Sequence, residues 1–202
     1  MSTNFYCENQ IEVVFPFLRR PPRRLFLGGP GYGNEGQRFV QEFFGATVFA
    51  FEPCKECRQF QQENGGNSFL WSVAALSDKI GKIDFTVNDK SPQQSSFVRD
   101  TPGRKKEVMS LTLDYVHKQL ASMDLTNDVL WLDIEGAEVL ALRGAEKCLT
   151  NGAFQLINLE VIPEERPDDV AEIEAIMARH GFELACSWGW MGSKHDRIYV
   201  RK

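Results

Sequence analysis

Asp133, Glu135 and Glu138 crowd a point where an apolar run gives way to a helical pattern, within Trp131 to Ala145. Carboxylates so placed can take a proton from a hydroxyl, hold a hard cation or satisfy the positive end of a helix. Val129 to Leu132 is apolar throughout, as in a strand covered on both faces, and the pattern from Val139 onward is helical. Ligands of an open parallel sheet lie beyond the carboxyl ends of its strands, so Asp133 and Glu135 are expected to face a cleft. Glu138 fits helix capping better.

A second constellation is the run Gly28-Gly29-Pro30-Gly31-Tyr32-Gly33-Asn34-Glu35-Gly36. Its missing side chains let backbone amides approach a ligand, and the helix start that follows favours anionic groups. Gly31, Gly33 and Gly36 spell GxGxxG, as in dinucleotide folds, while Gly29 and Gly33 spell the GxxxG of loops that hold S-adenosylmethionine. Under either reading the acid closing the second strand, Glu52, accepts two ribose hydroxyls, because one carboxylate can take both hydrogen bonds. A nicotinamide oxidoreductase would need a second domain or a Tyr-x-x-x-Lys type of hydride-transfer set, and neither is found. The third reading is a binding module on a cofactor fold with weakened catalysis.

These residues need a scaffold, and hydrophobic runs alternating with helical patterns from about Arg24 predict an α/β layered fold. Residues 1–23 are expected to be an arm and 24–202 one domain. Strands are predicted at Arg24 to Gly29, Thr47 to Phe51, Phe69 to Leu76, Val129 to Leu132, Phe154 to Val161, Phe182 to Trp188 and Arg197 to Val200. Lys82 to Asn88 alternates as an edge strand, and Val108 to Leu111 is a further short one. Helices are predicted at Cys54 to Glu63, Leu113 to Ala121 and Pro167 to His180, the last with Pro near its start and Gly181 past its end. The turn before the final strand is short, so that strand should run antiparallel. Ser91 to Lys106 is polar with two prolines, and a substrate lid is expected there.

The chain has 202 residues, 43% hydrophobic, enough for one well-buried core. A net charge of -5 argues against nucleic acid as a partner, leaving a local patch at Arg19, Arg20, Arg23 and Arg24, read as a solvated turn. No apolar run approaches the ~20 residues of a membrane helix and no signal-peptide core is seen, so a cytoplasmic protein away from the membrane is expected. Five cysteines without a secretion signal imply reduced thiols. Cys54 and Cys57 form a CxxC but lack further zinc-ligand spacing, so neither redox nor metal function is expected.

Several ordered blocks now resemble the FkbM-type methyltransferase family. They are Phe49-Ala50-Phe51-Glu52-Pro53; Val73 to Asp78 followed by Gly81 and Phe85; Leu111-Thr112-Leu113-Asp114; Asp133 to Glu138 with Leu142-Arg143-Gly144-Ala145; and Asn158-Leu159-Glu160-Val161. The resemblance runs from about Leu25 to Val200. It implies a Rossmann-like class I methyltransferase fold, with a seven-stranded, mostly parallel sheet whose last strand is antiparallel. It also implies S-adenosylmethionine as cofactor and a hydroxyl of a sugar, glycan or small natural product as acceptor. Gly29, Gly31, Gly33, Asn34, Glu35, Glu52, Pro53, Ser77 and Asp78 are then the cofactor-binding candidates, with Asp78 facing the adenine amine or starting the turn to Gly81. Asp133, Glu135 and His195 are the catalytic candidates.

Two departures stand out. Leu27 occupies the place of an Asp that helps position the methionine part, with Glu35 as its substitute, and Trp131 replaces a common basic residue. Related O-methyltransferases place a divalent metal where Asp133 stands, and Glu160 could complete such a site. No spacing demands a metal, and none is expected. His117 and His180 read as structural. Trp188 and Trp190 suit either a sugar-stacking platform or one face of a core, and Ser95 and Ser96 either a ligand or solvent.

Overall fold

The computed structural model describes residues 10–31, 34–57, 69–120, 126–191 and 194–202. Seven strands form the main sheet: β1 (Arg24–Gly28), β2 (Thr47–Phe51), β3 (Phe69–Ser72), β7 (Asp128–Leu132), β8 (Phe154–Val161), β9 (Phe182–Met191) and β10 (Lys194–Arg201). Their order is β3-β2-β1-β7-β8-β10-β9, with β10 antiparallel to both neighbours. This is the expected seven-stranded, mostly parallel α/β sheet. β1, β7 and β8 are buried along their whole length, which is why residues 25–27 and 129–132 are apolar on both faces, while the polar residues of these strands, such as Arg24, Asp128, Asn158 and Glu160, are buried with partners.

Alternate residues feed two cores. Phe26, Phe49, Phe51, Leu130, Leu132, Ile157 and Leu159 point to one face and join residues of α2 (Leu113–Gln119), α3 (Glu138–Arg143), α4 (Glu146–Thr150) and α5 (Pro167–Arg179). Leu25, Leu27, Val48, Ala50, Val129, Trp131 and Leu156 point to the other face and meet Phe39 of α1 (Asn34–Glu42). A 3-10 helix, Gln10–Phe17, closes that face through Ile11 and Val14, both fully buried. Part of the expected arm is thus packed into the core. Nor is Arg24 a solvated turn residue: its Nε lies 2.9 Å from Asp128 Oδ1, and both side chains are buried. No helix among the described residues is long and apolar enough to cross a membrane.

The expected third strand divides. Phe69–Ser72 pairs with β2, whereas β4 (Ala75–Leu76) leaves for a three-stranded sheet with β5 (Gly81–Val87) and β6 (Arg104–Leu111). A continuous apolar run does not encode which partner each half takes. The polar stretch expected as a lid links β5 to β6 through a 3-10 turn at Pro92–Gln94, and Ser96 bridges back to Thr86. Most of the helix expected over Cys54 to Glu63 lies outside the described residues.

The site follows from register. β2 and β3 build outward from one side of β1, and β7 and β8 from the other, so the chain reverses direction across the sheet between β1 and β7. Gly28 pairs with Phe51 and with Leu132, and Leu132 pairs with Leu159. The next residue on each strand is therefore Glu52, Gly29, Asp133 and Glu160, emerging in one row, and Asp196 of β10 pairs with Glu160 to extend it. That row lies at the switch point where open α/β sheets bind ligands.

Candidate functional site

A cleft of about 400 Å³, its mouth included, opens on this row. Gly29, Glu52 and Pro53 line it from β1 and β2, Asp133 and Glu135 from β7. Ala75, Leu76, Phe85 and Phe97 supply an apolar wall, and Pro92, Gln93 and Ser95 close it from the β5–β6 connection. Among the cofactor candidates, Gly29, Glu52 and Pro53 meet in the cleft, with Gly31 beside it under Gln93. Asn34 is exposed at the start of α1, and Gly33 lies outside the described residues. Ser77 is buried and Asp78 exposed; the Ser77 hydroxyl donates to Asp78, and neither lines the cleft.

Glu52 is 6% exposed, and its Oε1 accepts the Cys54 amide at 2.7 Å. Burial pushes its carboxyl up to about 8, against the pull of the Cys54 and Gly31 amides. A buried acid of this kind, facing a cleft, suits a diol donor. Beside it Gly29 adopts a φ of 68° and, lacking a side chain, lets the ends of β1 and β7 approach closely. These features fit an adenosyl ribose. Cys54 and Cys57 are buried next to Glu52, and the hydrogen bond from Cys57 draws the Cys54 thiol down to about 7.

At the other end, Glu135 and Glu160 are almost fully buried and Asp133 keeps a partly open surface. Carboxylate oxygens of the three lie within 4.8 Å of one another. Lys194 stands among them, with Nζ 2.8 and 2.9 Å from the two oxygens of Glu160 and 3.3 Å from Glu135 Oε1. Burial opposes the Lys194 charge, but Glu160 and Glu135 outweigh it and raise the ammonium above its ordinary range. Arg99, from the β5–β6 connection, pairs with the second oxygen of Glu135 and reaches Glu165 at 3.5 Å. Ser96 Oγ donates to the Glu135 carbonyl at 2.9 Å. The Glu135 backbone has a φ of 53°, a left-handed conformation that costs a non-glycine residue roughly 1 kcal/mol or more.

Asp133 differs from its neighbours. Among the described residues, none donates a hydrogen bond to its carboxylate, and burial beside Glu160 and Glu135 holds it well above the usual aspartate range. A carboxyl raised in this way is, once ionised, a stronger base than an ordinary aspartate. Asp196 completes the row, fully buried, accepting from Asn158 Nδ2 at 3.0 Å and pushed up to about 7 by burial.

Glu35 sits in the first turn of α1, where burial raises its carboxyl, and its charge acts on Asp196. It therefore approaches the site that Leu27 cannot reach, since Leu27 is 1% exposed within the apolar core. Glu138 is buried, accepts the Ile134 amide at 2.9 Å and so ties the turn after β7 rather than serving the cleft. His195 is not in a loop: it lies on β10, pairs with Val161 and Gly189, and its ring packs over Gly189. Trp188 packs against a core, and His117 is buried in one, wedged between Phe26 and Phe154.

Sequence reasoning missed Arg99, Asp196 and the part played by Lys194. A usable signal was present, because Asn158 and Glu160, then Lys194 and Asp196, put polar groups at period two on strands that pair.

A family model described as the methyltransferase FkbM domain matches residues 33–184. The 2-O-methyltransferase NoeI of Sinorhizobium fredii is 25% identical over 158 residues, covering 70% of this chain and 65% of that protein. Methyltransferase FkbM of Methylobacillus flagellatus KT superposes with a TM-score of 0.63 at 14% identity, over 92% of this chain and 45% of that one. The S-adenosylmethionine-dependent O-methyltransferase of Thermotoga maritima gives 0.55 at 11% identity, over 98% and 67%. The chain thus spans just under two thirds of NoeI and less than half of the Methylobacillus structure. The structural likenesses establish the fold.

Proposed function

The chain belongs to the FkbM methyltransferase family, and on that premise we propose that it moves a methyl group from S-adenosylmethionine to a hydroxyl of a sugar, glycan or small natural product. The observation that carries this reading is the register that brings Gly29, Glu52 and Asp133 to one cleft. Bound there, S-adenosylmethionine supplies a methyl already activated by a sulfonium.

The chain's own tasks are alignment and proton removal. Glu52 accepts the ribose hydroxyls, and Gly29, packed on the Asp133 carbonyl, holds the two strand ends in place. Ala75, Leu76, Phe85 and Phe97 offer an apolar surface for a base ring. Glu35 takes over the ammonium-binding role that Leu27 lacks. Asp133 removes the acceptor's proton, because Glu135 and Glu160 are held in ion pairs by Arg99 and Lys194 while no described residue pairs directly with the Asp133 carboxylate. His195, packed over Gly189, has no part in that transfer. The 2-O-methyltransferase name of NoeI supports a hydroxyl oxygen as the methyl acceptor.

Calorimetric titration with S-adenosylmethionine, its demethylated product and NAD tests the reading. Saturable binding of the first two and none of NAD is expected. Binding of NAD alone, or of none, overturns it.

A further inference from the structure

Asp133, Glu135 and Glu160 offer hard oxygen donors close enough to share one divalent cation. The centre of that set is already taken. Lys194 Nζ contacts both oxygens of Glu160 and one of Glu135, from a side chain only 18% exposed. Arg99 engages the remaining oxygen of Glu135. A divalent ion entering this cage would have to displace a buried ammonium from its two acids or sit beside it against like-charge repulsion, and both are costly.

We infer that Lys194 is a resident cation that does for these carboxylates what a divalent metal would do, so that the site excludes metal and operates without one. Its catalytic meaning rests on the proposed methyl transfer, in which Lys194 is a positioning residue. By pairing with Glu160 and Glu135 it keeps two acids from competing for the acceptor's proton and leaves Asp133 to take it. The claim of metal exclusion concerns the cage alone.

The direct test is a Mn2+ titration followed by electron paramagnetic resonance, on the full chain and on Lys194→Ala, Lys194→Met and Lys194→Arg. The wild-type chain should leave the free Mn2+ signal unchanged at millimolar metal. Lys194→Ala and Lys194→Met should each remove one equivalent of signal, with affinity at least about tenfold tighter than wild type, since a like charge has gone from the cage. Mg2+ should compete, and Lys194→Arg should behave as wild type. Stoichiometric Mn2+ binding by the wild type, or no gain in either neutral variant, overturns the inference. The methionine variant keeps the aliphatic stem and so decides the matter if the alanine variant fails to fold. Wild-type turnover should also survive a chelator. Absence of cofactor binding would remove the methyltransferase reading without touching the Mn2+ result, so the two failures are distinguishable.

Discussion

Gly29 presses directly on the backbone of Asp133: a β-carbon built on Gly29 would lie 1.8 Å from the Asp133 carbonyl oxygen. The two residues belong to adjacent strand ends, and the contact brings Gly29 against Asp133 at the floor of the cleft between Glu52 and Asp133. Gly29→Ala should therefore destabilise the fold by about 2 kcal/mol or more, from overpacking together with its positive φ. Gly45 shares a positive φ but has nothing within 4 Å, so Gly45→Ala isolates the conformational cost at roughly 1 kcal/mol. Urea unfolding of the two variants measures the difference, and equal losses would remove the argument from contact.

Glu52 should make cofactor binding and stability respond to pH in opposite directions. Its folded value of about 8 lies above the ordinary one, so the neutral form favours folding and that contribution is lost as pH rises through about 8. A diol donates best to the ionised acid, so affinity should climb from pH 6 to 8, by up to about tenfold per unit, and then level. Calorimetry across that range checks this, and in Glu52→Gln the dependence should vanish and affinity fall.

Asp133→Asn should leave cofactor affinity within about twofold and lower kcat by about 100-fold or more, the usual worth of a positioned base. The acid limb of the wild-type kcat profile should fall above the ordinary carboxylate range, following the upward shift of Asp133. A variant with intact turnover, or an acid limb left unchanged by the substitution, would reassign the base.

Asp128 anchors Arg24 at the opposite ends of β1 and β7, remote from the cleft. Asp128→Ala removes the carboxylate that Arg24 pairs with in a buried ion pair and should cost about 3–5 kcal/mol. Cofactor affinity of the folded fraction should be retained. Thermal unfolding with and without the demethylated cofactor separates the two effects.

The parallel core was legible because its strands carry their burial in their composition. Phe154–Val161 matches its expected span residue for residue, and Thr47–Phe51 does the same. The junction at Asp133 and the acid at Glu52 were legible for a related reason: charge at the end of an apolar run has few other uses. What sequence could not supply was pairing. Lys194 and Glu135 are far apart along the chain, and only the β8–β10 register brings them together. His195 stands out by residue type, yet one step along β10 its neighbours Lys194 and Asp196 reach Glu160 and Asn158 while its ring rests on Gly189. The division of Phe69 to Leu76 between two sheets was hidden in the same way.

The small sheet of β4, β5 and β6 has a consequence for how such a protein diversifies. The connection it carries, residues 88–103, delivers Gln93 and Phe97 to the cleft and Arg99 to Glu135, while β5 and β6 pair with each other outside the main sheet. Changes in that connection can reshape the cleft wall without disturbing the seven strands beneath. The chain is thus built as a seven-stranded frame with a separately paired connection, and exchanging residues 88–103 would alter the cleft wall at Phe97 and the Arg99–Glu135 pair together while the strands beneath stay in place.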